Sequence, residues 1–166
     1  ADPSLPRLLA GGGATAEMLI AVRPFSVLQG MREPQLAAAI LRQVGGSAQA
    51  GADLVEAGDP KAAIRALLEI DPAELSELTP KVAAAARAAG LDTSGADALE
   101  TVATDYPGDA GVLVAVLMGQ RVLSEGDAVY VPAGVVHAYV SGTGVEVMTA
   151  SDNVLRLGLT PKTIAV

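Results

Sequence analysis

The 166-residue chain contains a single histidine, His137, within VPAGVVHAYVSGTGVE, where short apolar runs alternate with glycine-rich turns. Tyr139 and Glu146 lie in the same segment, which therefore combines an imidazole, a phenol and a carboxylate. If residues 141–144, SGTG, form a four-residue hairpin loop, Tyr139 opposes Glu146 and His137 opposes Met148. Because side chains alternate along a strand, these four residues then share one face. Such a cluster can bind a metal ion or transfer a proton.

A structural role for His137 is the alternative. A lone imidazole beside polar neighbours is often a satisfied hydrogen-bonding group or a half-exposed surface residue. A register shift of one residue would also separate the cluster. The chain has no recognisable nucleophile motif, and the glycine-rich residues 10–17, AGGGATAE, match neither a phosphate-binding loop nor a dinucleotide-binding fingerprint. The residues alone therefore leave both interpretations of His137 open.

The preceding sequence predicts a strand followed by several short helices. Residues 17–22, EMLIAV, are typical of a strand that ends before Pro24. From Pro34, apolar residues recur at helical spacing. Further helix starts are predicted where a capping residue precedes proline, at Asp59-Pro60, Asp71-Pro72 and Thr79-Pro80. Glu74 is expected to complete a capping box behind Asp71, and Gly90 to end the helical section.

The last third of the chain predicts an antiparallel sheet. Residues 111–123, GVLVAVLMGQRVL, fit a helix or a strand, whereas the later runs EGDAVYVPAG, VVHAYV and GVEVMT favour strands. The predicted fold class is α+β, with a β domain interrupted by a small helical subdomain. The corresponding segments are an N-terminal loop and strand (1–30), a helical insertion (31–100) and a β segment carrying the site (101–166).

Composition restricts the partners. The net charge of −8 and the absence of a Lys/Arg run disfavour nucleic acid and anionic lipid. An aromatic content of 2% provides too few rings for a base-stacking platform. No apolar run approaches the roughly 18 residues of a membrane span. The absence of cysteine fits a cytoplasmic location. The sequence thus predicts neither nucleic acid nor membrane as a partner, and it leaves the oligomeric state unknown.

Three stretches occur in the order found in one enzyme family: EMLIAVRPFSVLQGMRE, YPGDAGVLVAVLM and LSEGDAVYVPAGVVHAYVSGTGVEVMTASDNVLRLGLTPKTIAV. In these stretches the chain resembles the type I phosphomannose isomerases, or mannose-6-phosphate isomerases, of the cupin superfamily. The resemblance implies a partial jelly roll of cupin type, interrupted by the helical subdomain. It also implies zinc-dependent interconversion of mannose 6-phosphate and fructose 6-phosphate through a cis-enediol, with a small phosphosugar as ligand.

The same resemblance implies roles for six residues. His137 and Glu17 correspond to two zinc ligands, and Arg156 to an arginine that stabilises the negative enediolate. Three more match pocket positions: Tyr139 beside the substrate, with Glu146 and Lys162 as candidates for proton transfer or sugar orientation. A neutral imidazole and a carboxylate suit Zn²⁺, and a cation beside an enediolate offsets charge that develops only during the reaction.

The chain also departs from this family. The family takes two further zinc ligands from a Gln-x-His pair, which a chain with one histidine does not supply. Residues 14–16, Ala-Thr-Ala, replace the family's His-Lys-Pro before Glu17. The family also continues into a second β domain after the match to LTPKTIAV. We therefore expect a truncated or trimmed isomerase, or alternatively a non-catalytic cupin-like module that binds a sugar or a partner without a complete metal site.

Overall fold

The computed structural model describes residues 15–150 and 155–160, in which two antiparallel sheets of three strands each are present. In chain order the strands are β1 (Glu17–Ala21), β2 (Phe25–Met31), β3 (Met118–Leu123), β4 (Ala128–Val131), β5 (His137–Ser141) and β6 (Gly144–Met148). Strand β1 lies between β4 and β6, and strand β2 lies between β3 and β5. The turn at residues 22–24 therefore carries the chain from one sheet directly into the other.

Helices occupy the chain between β2 and β3. They are α1 (Pro34–Val44), α2 (Ala48–Glu56), α3 (Pro60–Leu68), α4 (Pro72–Leu78), α5 (Val82–Ala88), α6 (Thr93–Asp105) and α7 (Ala110–Val116), with a 3-10 turn at Thr79–Lys81. The predicted starts at Asp59 and Asp71 are confirmed, because each carboxylate accepts a backbone N–H in the first turn of its helix. None of the described helices is long and apolar enough to cross a membrane.

Two of the predicted capping contacts are wrong. The hydroxyl of Thr79 accepts a hydrogen bond from the distant Gly108 N–H at 3.0 Å, and the turn that it begins has no side-chain cap. The carboxylate of Glu74 does not complete a capping box. It accepts hydrogen bonds from the backbone N–H and the hydroxyl of Ser47, both at 2.7 Å. Glu74 therefore links α4 to the start of α2, because that neighbour offers two donors.

Removing this link should lower stability only when Glu74 is ionised. The Ser47 hydrogen bonds lower the pKa of Glu74, so its contribution is present above the unfolded-state pKa and is lost as the pH falls through the lower folded-state value. We expect Glu74→Gln to lower the thermal midpoint by roughly 1–2 °C at pH 7 and by less at pH 3. Glu77→Gln on the same helix is the control, and equal losses for the two variants at pH 7 would contradict the assignment.

The helical region leaves and rejoins one sheet at a single point. Met31 at the end of β2 pairs with Met118 at the start of β3. Just beyond this pair, the Arg32 N–H donates to the Leu117 carbonyl at 2.7 Å. The ambiguous run at 111–123 contains both predicted states, since α7 ends at Val116 and β3 follows. Helices α6 and α7 thus follow Gly90, where the helical section was expected to end, and they extend past residue 100, the predicted end of the helical insertion. The division of the chain into three segments stays a prediction.

Two apolar cores divide the described residues into three layers. The smaller core lies between the sheets and contains Leu19, Ala21, Phe25, Val27, Leu123 and Val129, with Tyr139 packed against it. The larger core lies between the helices and the outer face of the β3-β2-β5 sheet, from which Leu28, Ala138 and Val140 contribute. The β3-β2-β5 sheet is therefore the central layer, covered on one face by helices and on the other by the β4-β1-β6 sheet.

Candidate functional site

The predicted hairpin between β5 and β6 is wrong. Strand β5 pairs with β2, whereas β6 pairs with β1, so residues 141–144 cross from one sheet to the other. Gly142 has a φ of 133°, and a Cβ there would lie 2.7 Å from the Pro24 carbonyl oxygen. Glycine thus permits a close passage of the crossing over the start of β2. His137 consequently opposes Gln29 rather than Met148.

The predicted cluster nevertheless forms, across the space between the two sheets. Glu146 pairs with Leu19, whose side chain belongs to the core between the sheets, and Tyr139 packs against that core from the opposite sheet. Paired residues of an antiparallel ladder point to the same face, so Glu146 faces the side from which Tyr139 projects. Alternation therefore assigned the inward residues correctly although the strand pairing was wrong.

Glu17 and His137 are in direct contact at this site. Their Oε2 and Nε2 atoms lie 2.9 Å apart. Glu17 is 8% exposed, and His137 is half-buried. The Val135 carbonyl lies 3.1 Å from Nδ1 and can only accept, so Nδ1 donates to it. Nε2 then faces the carboxylate favourably only when it also carries a proton or when both groups bind a cation. The turn after β4 thus fixes the orientation of the ring and directs Nε2 towards Glu17.

This pair fits two positions in a zinc coordination shell. Imidazole nitrogen and carboxylate oxygen are ordinary zinc ligands, and an Nδ1–H held by a backbone carbonyl is the usual support for a ligating histidine. Two ligand atoms about 2.1 Å from a tetrahedral zinc are ~3.4 Å apart, so Nε2 and Oε2, which are 2.9 Å apart, need to separate by only ~0.5 Å. Within residues 15–150 and 155–160, however, no group of three or more His, Cys, Asp or Glu residues is placed to hold a metal.

Tyr139 borders the pair. Its ring centroid lies 5.6 Å from that of His137, and it packs edge-to-face against Phe25 at the same centroid distance. Its hydroxyl is buried and makes no hydrogen bond within the described structure. Burial raises the pKa of Tyr139, with further contributions from the Glu146 and Glu17 carboxylates, so the phenol stays protonated at neutral pH. The site thus contains a buried O–H donor next to two carboxylates.

The other predicted site residues make fewer contacts with Glu17 and His137. Glu146 is exposed on β6, although its carboxylate affects the Tyr139 phenol. Arg156 is half-buried in the irregular segment 155–160, and no described hydrogen bond or ion pair joins it to Glu17, His137 or Glu146. Lys162 and Ala14 lie outside the described residues. The structure therefore brings together Glu17, which the resemblance implied, and His137, Tyr139 and Glu146, which alternation placed on one face, but it does not connect Arg156 to them.

Two further side chains at this site were missed from the sequence. Gln29 is the register partner of His137, and its amide nitrogen donates to the Tyr130 carbonyl at 2.7 Å, which ties β2 to β4 across the two sheets. The Thr15 hydroxyl, two residues before Glu17, is buried without a hydrogen-bond partner in the described residues. Alternation along FSVLQGM could have placed Gln29 on the inner face with Phe25 and Val27.

The known proteins to which this chain is similar are named mannose-6-phosphate isomerases. No family model matches the chain. The mannose-6-phosphate isomerase of Escherichia coli K12 is 32% identical over 154 residues, which are 89% of this chain and 38% of the relative. A probable mannose-6-phosphate isomerase of Dictyostelium discoideum is 52% identical over 59 residues, 36% of this chain and 13% of the relative.

Solved structures give the same result for the fold. A point mutant of phosphomannose isomerase from Salmonella typhimurium superposes with a TM-score of 0.75 at 29% identity, covering 90% of this chain and 38% of that one. A zinc-bound mannose 6-phosphate isomerase gives a TM-score of 0.74 at 29% identity, with the same coverage of each chain. The chain thus spans 38% of the length of the relatives that it matches along most of its own length.

Proposed function

Because this chain is homologous to mannose-6-phosphate isomerases over 89% of its length, we propose that it supplies part of a zinc-dependent site that interconverts mannose 6-phosphate and fructose 6-phosphate. One observation carries the proposal: the contact between His137 and Glu17 in the space between the sheets. The proposal includes a cupin-type jelly roll as the fold, a small phosphosugar as the ligand and a cytoplasmic location.

In this proposal His137 and Glu17 hold the zinc ion, which when bound supplies a Lewis acid that polarises substrate oxygens. The remaining residues handle the substrate. Aldose–ketose isomerisation moves one proton between C2 and C1 and another between the neighbouring oxygens, so it requires groups that accept and return protons. The exposed carboxylate of Glu146 is one candidate, and the ammonium group of Lys162 is another.

Two further residues would stabilise and orient the sugar. The guanidinium of Arg156 offsets the negative charge that develops on the enediolate oxygens, which lowers the barrier more than it tightens substrate binding. The phenol of Tyr139 remains protonated and makes no hydrogen bond in the described structure, so it can donate one to a sugar oxygen. Thr15, whose hydroxyl is also buried and unpartnered, offers a second such contact.

A non-catalytic sugar-binding module is the second candidate. It is favoured by the small number of metal ligands, because the described residues place only His137 and Glu17 in contact where a catalytic zinc usually has three protein ligands. Such a module would use the Tyr139 and Thr15 hydroxyls to bind a sugar and would not catalyse proton transfer.

A chimeric enzyme tests the first candidate against the second. We would replace the aligned segment of the E. coli isomerase with residues 15–166 of this chain, so that the remaining zinc ligands come from the relative. The expected result is zinc-dependent conversion of mannose 6-phosphate. Arg156→Ala should lower kcat about 10²–10³-fold, whereas the control Arg121→Ala, an exposed residue of β3, should leave it unchanged.

Zinc content and a cooperative thermal transition establish that the chimera is folded. A folded, zinc-loaded chimera without turnover would overturn the isomerase proposal. If that protein still binds mannose 6-phosphate in a calorimetric titration, the binding-module interpretation is favoured instead. An Arg156→Ala chimera with unchanged kcat would remove the role of Arg156 alone.

A further inference from the structure

The segment that contains Arg156 is attached to the first turn of α7 by one carboxylate. Asp109 Oδ1 accepts a hydrogen bond from the Gly111 N–H at 2.7 Å and so caps the helix. Its Oδ2 accepts one from the Leu159 N–H at 3.1 Å. The two oxygens of Asp109 thus join residues that are 48 positions apart in the chain. Because each donor binds a different oxygen, a side chain whose single oxygen takes the place of Oδ1 loses the contact to Leu159.

Two glycines allow this attachment to be close. A Cβ on Gly158 would lie 2.7 Å from the Gly111 Cα and 2.5 Å from Asp109 Oδ1. A Cβ on Gly111 would lie 2.9 Å from both the Gly158 Cα and the Leu159 nitrogen. Gly158 also has a φ of 133°, which side-chain-bearing residues rarely adopt. The backbone of the segment therefore rests directly on the backbone of the helix.

Apolar packing supports the same arrangement. Leu157 and Leu159 are half-buried and pack against the helical core. Leu159 has a φ of 55°, the one positive value at a non-glycine residue in the described chain. Such a conformation is unfavourable unless surrounding contacts hold it. Asp109, Leu157 and Gly158 provide those contacts to Leu159, which lies three residues after Arg156.

We propose that Asp109 is a positioning residue for Arg156: by binding Leu159 it fixes the backbone from which the guanidinium reaches the substrate. This proposal rests on the role of Arg156 in the function proposed above. The side chain of arginine is long and flexible, so its placement within the site depends on a fixed backbone and supporting contacts. Asp109 carries out this role from outside the site and makes no contact with the reacting atoms.

The chain provides a matched control in Asp71. Asp71 caps α4 through the same two-residue spacing, with the Ala73 N–H 2.8 Å from Oδ1. Both α4 and α7 are seven residues long. Serine is a good capping residue with one acceptor oxygen, so Asp109→Ser keeps the cap and loses the second contact. Asp71→Ser makes the same chemical change where the described structure shows no second segment to release.

Amide hydrogen exchange of the 166-residue chain tests the attachment. In Asp109→Ser the Leu159 amide should exchange about tenfold faster, as expected for the loss of one hydrogen bond to a carboxylate. Asp71→Ser should leave that amide unchanged. Gly158→Ala, which displaces the segment through a steric clash, should also accelerate its exchange. Unchanged Leu159 exchange in both Asp109→Ser and Gly158→Ala would overturn the proposal.

The position of Arg156 is measured separately through its Nε–H resonance. This resonance should shift in Asp109→Ser and in Gly158→Ala, and it should stay in place in Asp71→Ser. An unshifted Arg156 resonance together with faster Leu159 exchange would show that Asp109 holds the segment without positioning the arginine, and the proposal would be wrong. Neither measurement requires catalysis, so both remain decisive if the isomerase proposal fails.

In the active chimera, Asp109→Ser should lower kcat about tenfold with less than a twofold change in KM, because Arg156 acts on the transition state. Asp71→Ser should change neither constant by more than twofold. An unchanged kcat in Asp109→Ser would overturn the positioning role even if Leu159 exchange rises. A parent chimera without activity would instead contradict the proposed function.

Discussion

The 166-residue chain by itself is expected to bind Zn²⁺ at least 100-fold more weakly than the mannose 6-phosphate isomerase of known zinc-bound structure, and to show little or no isomerase turnover. The reason is the ligand count of the proposed site: Glu17 and His137, which contact each other, would supply two protein ligands, whereas catalytic zinc sites usually have three and structural sites four. Water molecules would fill the other coordination positions of the zinc ion, and the affinity for Zn²⁺ would be lower. A competition titration against a chromophoric chelator at pH 7.5 measures the difference.

Removal of the imidazole should weaken the remaining zinc binding further. His137→Ala is expected to weaken zinc binding at least tenfold further, while Glu125→Gln, an exposed carboxylate outside the site, should have no effect. The isomerase assay is run with and without saturating zinc. Clear zinc-dependent turnover that His137→Ala abolishes would contradict the prediction and show that another source, such as a second copy of the chain, completes the metal site.

The second large effect is expected at Leu28, in the central layer of the fold. Leu28 is 0% exposed and packs against the helices from the β3-β2-β5 sheet. Leu28→Ala should reduce the free energy of unfolding by about 2–5 kcal/mol, because the lost methyl and methylene groups leave a cavity between sheet and helices. In a chain of this size that loss corresponds to a thermal midpoint roughly 5–15 °C lower.

Leu155→Ala is the matched control for this substitution. It removes the same groups from a side chain that is 62% exposed, so we expect a change within about 0.5 kcal/mol. Urea unfolding followed by far-UV circular dichroism gives both values. Similar losses for the two variants would mean that Leu28 does not pack between the layers as described.

Local patterns in the sequence predicted the elements better than the contacts between them. Asp59 and Asp71 begin helices as expected, because capping depends on residues within the same turn. Thr79 and Glu74 instead bond to distant partners, which no local pattern reveals. For the run at 111–123, periodicity cannot distinguish a buried helix from a buried strand, and the chain uses it for one of each.

At the candidate site, too, local patterns predicted features of single strands but not the contacts between strands. Alternation along β5 placed His137 and Tyr139 on one face, and alternation along β6 placed Glu146 and Met148 on one face; each inference holds for any strand partner because the two-residue period belongs to the strand itself. Whether the two faces meet depends on how the strands pair. The partner was wrong, since a glycine-rich loop is compatible with a hairpin and with a crossing between sheets. Glu17 entered the prediction through family resemblance alone, because spacing carries no information about a contact across 120 positions. The hydrogen bond from Leu159 to Asp109 was not predicted from the sequence for the same reason.

The entry and exit of the helical region at one point of the sheet, at the Met31–Met118 pair, has a consequence for the order of folding. Closing the loop of 86 residues between Met31 and Met118 costs chain entropy, and that cost is smaller once the intervening helices have packed into a compact unit. Helix contacts are largely local, so we expect the helices to form first and to bring β2 and β3 together. The partners of β1 lie more than a hundred residues away and pair afterwards. Glu17 and His137 would then meet among the last contacts on the folding pathway.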